Sequence, residues 1–309
     1  MKNIVAGGAG FIGSHLIDLL IKKGEQVICI DNFKTGTKKN IAHLINNTNF
    51  MCINHDVVNP IEIKSDKIWH LACPASINKY QKDPIETSKT IFLGTLNLLE
   101  LAKKYNARFL LASSSEIYGN PEQHPQKETY WGSVNPIGKR SCYDEGKRIA
   151  ESLCFDFSRM YGTEIKIARI FNTYGPRISP EDGRVISNFI CQALQNKPLT
   201  ICGKGLQTRS FCFILDLIDS LNKLMNSGYK GPINLGNPEE IKIHDLAHLI
   251  NDKVGNKSRI VNIPLPENDP FKRKPDINFA KSALNWYPKV TLSEGLDLTI
   301  EYFKKQFLI

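Results

Sequence analysis

Short apolar runs alternate with longer amphipathic ones through the first half of the chain. Residues 4–6 form a compact apolar run. Phe11–Lys22 follows, with Phe11, Ile12, Leu16, Leu19 and Leu20 recurring at helical spacing. Further short runs at Gln26–Asp31, 50–53, 67–71, 108–112 and Ile165–Ile170 predict strands, and residues 86–105 and 144–161 predict two long helices. This strand–helix alternation predicts a Rossmann-type, doubly wound parallel sheet.

The second half is less regular. Strand-like runs occur at Leu199–Cys202 and 211–214, and helical ones near 184–195, 215–226, 243–254 and 293–305. Pro and Gly interrupt it at Gly231-Pro232, at Asn237-Pro238 and along 264–270. The pattern predicts a smaller α/β lobe that caps the sheet and supplies ligand contacts. The expected division is a dinucleotide-binding domain over residues 1–170 and a substrate lobe over 171–309. Some segments of that lobe are expected to return to the first domain.

The turn between the first strand and helix reads Gly7-Gly8-Ala9-Gly10-Phe11-Ile12-Gly13. Gly7 permits a tight turn, Gly10 lets the backbone approach a pyrophosphate, and Gly13 allows close helix–strand packing. The helix start at Phe11 and Ile12 adds open N–H groups and a partial positive charge. Asp31 ends the second strand, about 20 residues on, where an acid bonds the ribose hydroxyls of NAD and repels the extra phosphate of NADP. Asn32 adjoins it, and Lys34 nearby pulls the other way. Asp56 and Val57 follow the third strand and can meet adenine. Leu71, after His70, lines the same crevice, and His70 reads as a packed or hydrogen-bonded residue. NAD is the cofactor these positions predict.

Tyr143 and Lys147 share a helical face in a YxxxK pattern. A free tyrosine is too weak a base at neutral pH. Lys147 and an oxidised nicotinamide both favour phenolate and are expected to lower its pKa. Ser113-Ser114-Ser115-Glu116 ends the fifth strand, where a hydroxyl can reach the same substrate oxygen.

Charge and cysteine usage narrow the classes. The net charge of +9 is scattered in pairs such as Lys22-Lys23 and Lys304-Lys305, unlike the single basic stripe of a nucleic-acid binder. The eight cysteines include no CxxC pair, as expected for reduced thiols. No apolar stretch is long enough to span a bilayer, and Met1 leads straight into a strand-like run. A cytoplasmic enzyme is expected, with no nucleic acid or membrane partner. His244 and His248 stand four apart without a third ligand in view, so no metal site is expected.

These motifs resemble the extended short-chain dehydrogenase/reductase family that handles nucleotide sugars. A closer set resembles its UDP-glucuronate decarboxylases: the run 70–76, the run from Tyr130-Trp131-Gly132 through Arg140, Cys142, Tyr143 and Arg148, the run 169–177, Asp182-Gly183-Arg184-Val185, Gln207-Thr208-Arg209 and Arg273-Lys274-Pro275-Asp276. The resemblance spans essentially the whole chain. It implies transient oxidation of UDP-glucuronate at C4, loss of CO2, protonation at C5 and re-reduction. It implies catalytic roles for Tyr143, Lys147, Ser114, Glu116 and Arg273, a cofactor contact for Lys89, and substrate contacts for Asn172, Arg184, Asn188, Arg209 and Arg273. It also implies a homodimer through the two long helices. Related 4,6-dehydratases carry an Asp before the glutamate, where this chain has Ser115, and 4-epimerases usually lack the glutamate. Ser114 stands where threonine is usual, and Asn78 and Glu100 also depart from the family pattern. A UDP-sugar 4-epimerase and a 4,6-dehydratase are the alternative enzymes; a dinucleotide-sensing protein on the same fold is the non-enzymatic one.

Overall fold

Each apolar run of the first half becomes a strand because its residues feed two buried layers in turn. In β1 (Lys2–Ala6), Ile4 and Ala6 join one layer and Val5 the other. β2 (Gln26–Asp31) divides Ile28 and Ile30 from Val27 and Cys29 in the same way. A sheet buried on both faces is the setting that favours parallel strands joined by helices. β3 (Phe50–Asn54), β4 (Lys67–His70), β5 (Arg108–Ser114) and β6 (Ile165–Ile170) complete the series. The computed structural model describes residues 1–255, 258–265 and 271–307. Of the punctuated stretch 264–270, residues 266–270 lie outside the described residues.

All pairings in the main sheet are parallel, in the order β3-β2-β1-β4-β5-β6 with Ile233–Leu235 added beside β6. The order reverses between β1 and β4, and ligands of such sheets bind at the carboxyl ends of the strands beside that reversal. Ile233–Leu235 is a return of the second half to the first. Its three residues are too short a run to stand out in the sequence.

Helix α1 (Phe11–Lys22) packs with the layer that holds Leu16, Leu20, Leu110 and Ala168. After the single turn α2 (Ile77–Tyr80), α3 (Pro84–Tyr105) and α4 (Ser141–Tyr161) cover the other face through Leu98, Leu99, Ala102, Ala150, Cys154 and Phe157. α3 starts two residues before the predicted 86. Asp83 Oδ1 accepts the Glu86 N–H at 2.9 Å, and Pro84 suits a first turn that needs no donor. α4 starts at Ser141 rather than 144 and ends at Gly162, whose φ of 70° closes the helix in the left-handed region.

The later helices are α5 (Val185–Leu194), α6 (Ile214–Met225), α7 (Ile243–Val254), α8 (Asn278–Leu284) and α9 (Leu292–Phe307). The predicted strand 211–214 shrinks to Cys212–Phe213 because Ile214 already opens α6. α6 joins the α1 side of the sheet through Leu217, Leu221 and Leu224. Small sheets build the rest, one of them ordering Glu240–Lys242, Thr208–Ser210 and Lys272–Arg273 side by side. That sheet carries the buried Arg273 against Glu116.

Candidate active site

The glycine turn closes tightly against the sheet. Gly7 has φ of 79°, and a Cβ there would stand 2.7 Å from the backbone nitrogen of Ala72. A Cβ on Gly13 would lie 2.2 Å from the Gly7 carbonyl oxygen. Side chains are excluded at both positions, so backbone alone faces the crevice. Gly10 begins α1 with no side-chain cap, which leaves first-turn N–H groups for an anionic ligand. Asp31 Oδ2 accepts the Ala9 N–H at 3.0 Å and Oδ1 the Phe33 N–H at 2.8 Å. Burial pushes its carboxyl up, against the pull of these two donors. Lys34 is engaged by two carboxylates, Asp56 at 3.2 Å and Glu86.

The reactive end is set by β5 and α4. The pleat of β5 turns successive side chains apart. Ser113 donates to buried Glu151 at 2.5 Å, while Ser114 lies close enough to the Tyr143 phenol to interact with it. Ser114 Oγ also accepts the Glu116 N–H at 3.2 Å, which fixes the turn after the strand. Tyr143 is buried, with its ring stacked on Tyr80 at 5.1 Å between centroids. Lys147 donates to the Ala112 carbonyl at 2.8 Å and stands 5.7 Å from the centre of the Tyr143 ring.

The electrostatics at Tyr143 differ from the expectation in the sequence. Burial pushes its hydroxyl well above the ordinary tyrosine range, Cys73 adds to the rise, and Ser114 pulls it back. Desolvation therefore outweighs the cations here. His70 is buried with Nε2 3.2 Å from Thr95 Oγ1, and burial together with Lys147 lowers it to about 3. It is a neutral, packed imidazole at physiological pH.

Glu116 stands between two arginines. Its Oε1 pairs with Arg273 and its Oε2 with Arg140. Arg273 also donates to the Gly119 carbonyl at 2.9 Å. Burial lowers the Arg273 guanidinium to about 10, so it stays charged at neutral pH. Asp144 Oδ2 lies 3.8 Å from Arg140 Nε.

A cavity of about 600 Å³ joins the glycine turn to this reactive end. It is lined by the predicted Gly7, Gly10, Phe11, Ile12, Gly13, Asp31, Asn32, Val57 and Leu71, and by Ser114, Glu116, Tyr143, Lys147, Asn172 and Arg184. Other predicted positions fall outside this lining. Asp56 turns to Asn32 Nδ2 at 2.8 Å and to Lys34. Lys89 lies on the exposed side of α3, between the buried Thr87 and Thr90. Asn188 donates to the Gly183 carbonyl at 2.9 Å, and Arg209 to the Thr208 carbonyl at 2.8 Å. Arg273 lines a second cavity of about 220 Å³ that shares Glu116 with the first. Sequence reasoning gave no role to Tyr80, Arg140 or Asp144. Arg140 stood within a recognised motif, but nothing in linear spacing shows that it reaches back 24 residues to Glu116.

The family model described as GDP-mannose 4,6 dehydratase matches residues 4–299. UDP-glucuronic acid decarboxylase 4 of Arabidopsis thaliana is 54% identical over 99% of this chain and 69% of its own length. UDP-glucuronic acid decarboxylase 1 of Danio rerio is also 54% identical, over 98% of this chain and 72% of its own. Among solved structures, UDP-glucuronic acid 4-epimerase from Bacillus cereus, in complex with UDP-glucuronic acid and NAD, superposes with a TM-score of 0.88. It is 30% identical, over 99% of this chain and all of that one. The chain belongs to the extended short-chain dehydrogenase/reductase family, in the branch of the UDP-glucuronic acid decarboxylases.

Proposed function

We propose that this chain converts UDP-glucuronate to UDP-xylose and CO2, with NAD held and regenerated in each turnover. The observation that carries the reading is Glu116, on the same cleft as Tyr143 and Ser114 and paired from behind with Arg273, in a chain more than half identical to decarboxylases. The residues present fit a dinucleotide. Gly7 and Gly13 leave backbone alone at the turn, α1 begins uncapped, and Asp31 faces the cavity. Asp31 also favours NAD over NADP, because the carboxylate opposes a 2′-phosphate. When bound, NAD supplies a reversible hydride acceptor for C4 of the sugar.

The protein's own groups do the rest. Tyr143 takes the C4 hydroxyl proton, with the Ser114 hydroxyl beside it to bond the same oxygen. Lys147, fixed on the Ala112 carbonyl, holds positive charge that favours the phenolate form of Tyr143, the form that takes this proton. The 4-ketone makes the carboxylate β to a carbonyl. The C5–C6 bond then breaks as CO2 leaves, and its electron pair enters an enolate. Arg273 and Glu116 stand for that charge and for the proton that returns to C5. Asn172, Arg184, Asn188 and Arg209 are assigned to the nucleotide sugar, and Lys89, Asp56 and Val57 to the cofactor side. Residues 1–170 act as the cofactor half and 171–309 mainly as the substrate half. The protein is proposed to be cytoplasmic and to work as a homodimer through α3 and α4.

The test is incubation of the purified chain with UDP-glucuronate and NAD⁺ in heavy water, followed by NMR. UDP-xylose carrying deuterium at C5, with CO2 and no net NADH, is expected. UDP-galacturonate in its place would make the enzyme an epimerase. Tyr143→Phe is expected to lower turnover by at least about a hundredfold while UDP binding stays within a few-fold. Unchanged turnover would remove Tyr143 from the mechanism.

A further inference from the structure

The second cavity lies behind Glu116, on the side away from the glycine turn. Its outer wall is Asn120, Ser133 and Asn135, all exposed. Its inner wall is Glu116, Asp144 and Arg273, with Asp144 6% and Arg273 3% exposed. The cavity therefore runs from solvent to the carboxylate that the catalytic cleft also touches. Two buried polar atoms on the inner wall have no partner, Asp144 Oδ1 and Arg273 Nε. The buried Tyr80 hydroxyl, close enough to interact with Arg140, Asp144 and Arg273, has none either. Unpaired buried polar atoms around a roomy polar cavity are the condition under which ordered water is held.

The proposed reaction makes a demand on this arrangement. A carboxylate leaves as neutral CO2 and a C–H bond forms at C5, so one solvent proton is consumed per turnover. Nucleotide sugar and dinucleotide, both assigned to the main cleft, would close the route through it. The second cavity reaches Glu116 from the other side.

We propose that this side cavity is the entry path for the solvent proton consumed in each turnover, with Asp144 holding that proton at the wall, water in the cavity carrying it to Glu116, and Arg140 fixing the two carboxylates relative to each other. The proposal rests on the decarboxylase reading. Asp144 is a positioning residue, since it reaches the reaction through Arg140, Glu116 and water. Burial pushes its carboxyl up to about 6, so it exchanges protons near neutral pH. The groups that face it are Arg140, Cys142, Tyr143 and Glu145 from around its own helix, Tyr80 from α2, and Glu116 and Arg273 across the cavity. With Asp144 ionised, two carboxylates balance two guanidiniums. With it protonated, the cluster carries one net positive charge beside the leaving carboxylate.

The test compares wild type, Asp144→Asn, Asp144→Glu and Asn120→Trp, the last narrowing the mouth from an exposed position. Wild type is assayed first. If it makes no UDP-xylose, the decarboxylase reading has failed, independently of the cavity. In an active enzyme, Asp144→Asn is expected to lower kcat about tenfold, remove a titration near pH 6 from the kcat profile and enlarge the solvent deuterium effect. KM for UDP-glucuronate and bound NAD should stay within twofold of wild type. Asp144→Glu should recover part of the rate, and Asn120→Trp should lower kcat and enlarge the isotope effect without moving KM. The proposal is overturned if both Asp144→Asn and Asn120→Trp keep the wild-type rate and isotope effect. It is equally overturned if Asp144→Asn slows the enzyme while its pH profile and isotope effect stay put, which is the signature of a merely structural carboxylate.

Discussion

Asp144 shows how a residue's chemistry depends on where the fold leaves it. On the sequence it is one letter inside the YxxxK pattern; in the structure it is a buried acid facing an arginine 3.8 Å away. Its carboxyl moves from 3.8 to about 6, with burial the largest cause and Arg140 opposing it. The folded state thus binds this proton more tightly than the unfolded chain. The stabilisation from protonation is fully present below the unfolded value and is lost as pH rises through about 6. Asp144→Asn removes that dependence. Its stability relative to wild type should rise between pH 5 and pH 8 by about 1.4 kcal/mol, because about one pKa unit of the shift lies above pH 5 and each unit is worth about 1.4 kcal/mol. Urea unfolding at the two pH values measures it, and a gain that shrinks toward pH 8 contradicts the buried-carboxyl account. Tyr143 makes the same point. YxxxK identified the pair, but its effect on the phenol turned on desolvation, which linear spacing does not contain.

At the scale of elements, the site is held by a buried ion pair that ties three of them together. Arg169 on β6 donates to Glu151 on α4 at 2.8 Å, and Glu151 accepts from Ser113 on β5. Arg169 also donates to the Tyr118 hydroxyl at 3.0 Å and to the Glu128 carbonyl at 2.9 Å. α4, which carries Tyr143 and Lys147, is thereby fixed against β5, which ends in Ser114. Arg169→Leu leaves Glu151 buried and unpaired. It should cost about 3–5 kcal/mol of stability, measured by denaturant unfolding at neutral pH. A loss below about 1 kcal/mol would mean that water replaces the guanidinium. The helix patterns were legible because both faces of each element repeat regularly. Their ends were not, since Asp83 and Gly162 act through local caps that periodicity does not report.

The whole molecule places two halves of the chain around one cleft. Ile233–Leu235 extends the main sheet from the second half, and α6 packs on the same face as α1. The proposed homodimer belongs to this scale. α3 and α4 carry exposed Ile85, Phe92, Ile149 and Met160, which a partner subunit would cover. Light scattering should give twice the protomer's 34.9 kDa, and charged substitutions at Phe92 and Ile149 together should halve the mass. A monomer at micromolar concentration would withdraw the dimer.

The glycine turn, Asp31 and the YxxxK pair were readable in the sequence because each depends on neighbours within one turn or one strand–helix unit. The branch was readable because its motifs keep their order along the chain. The tertiary structure alone decided that Glu116 lies between Arg140 and Arg273, 24 and 157 residues away. It also decided that Tyr80 stacks on Tyr143 and that a second cavity opens behind Glu116. These are long-range juxtapositions, set by the packing of whole layers, and local pattern has no term for them.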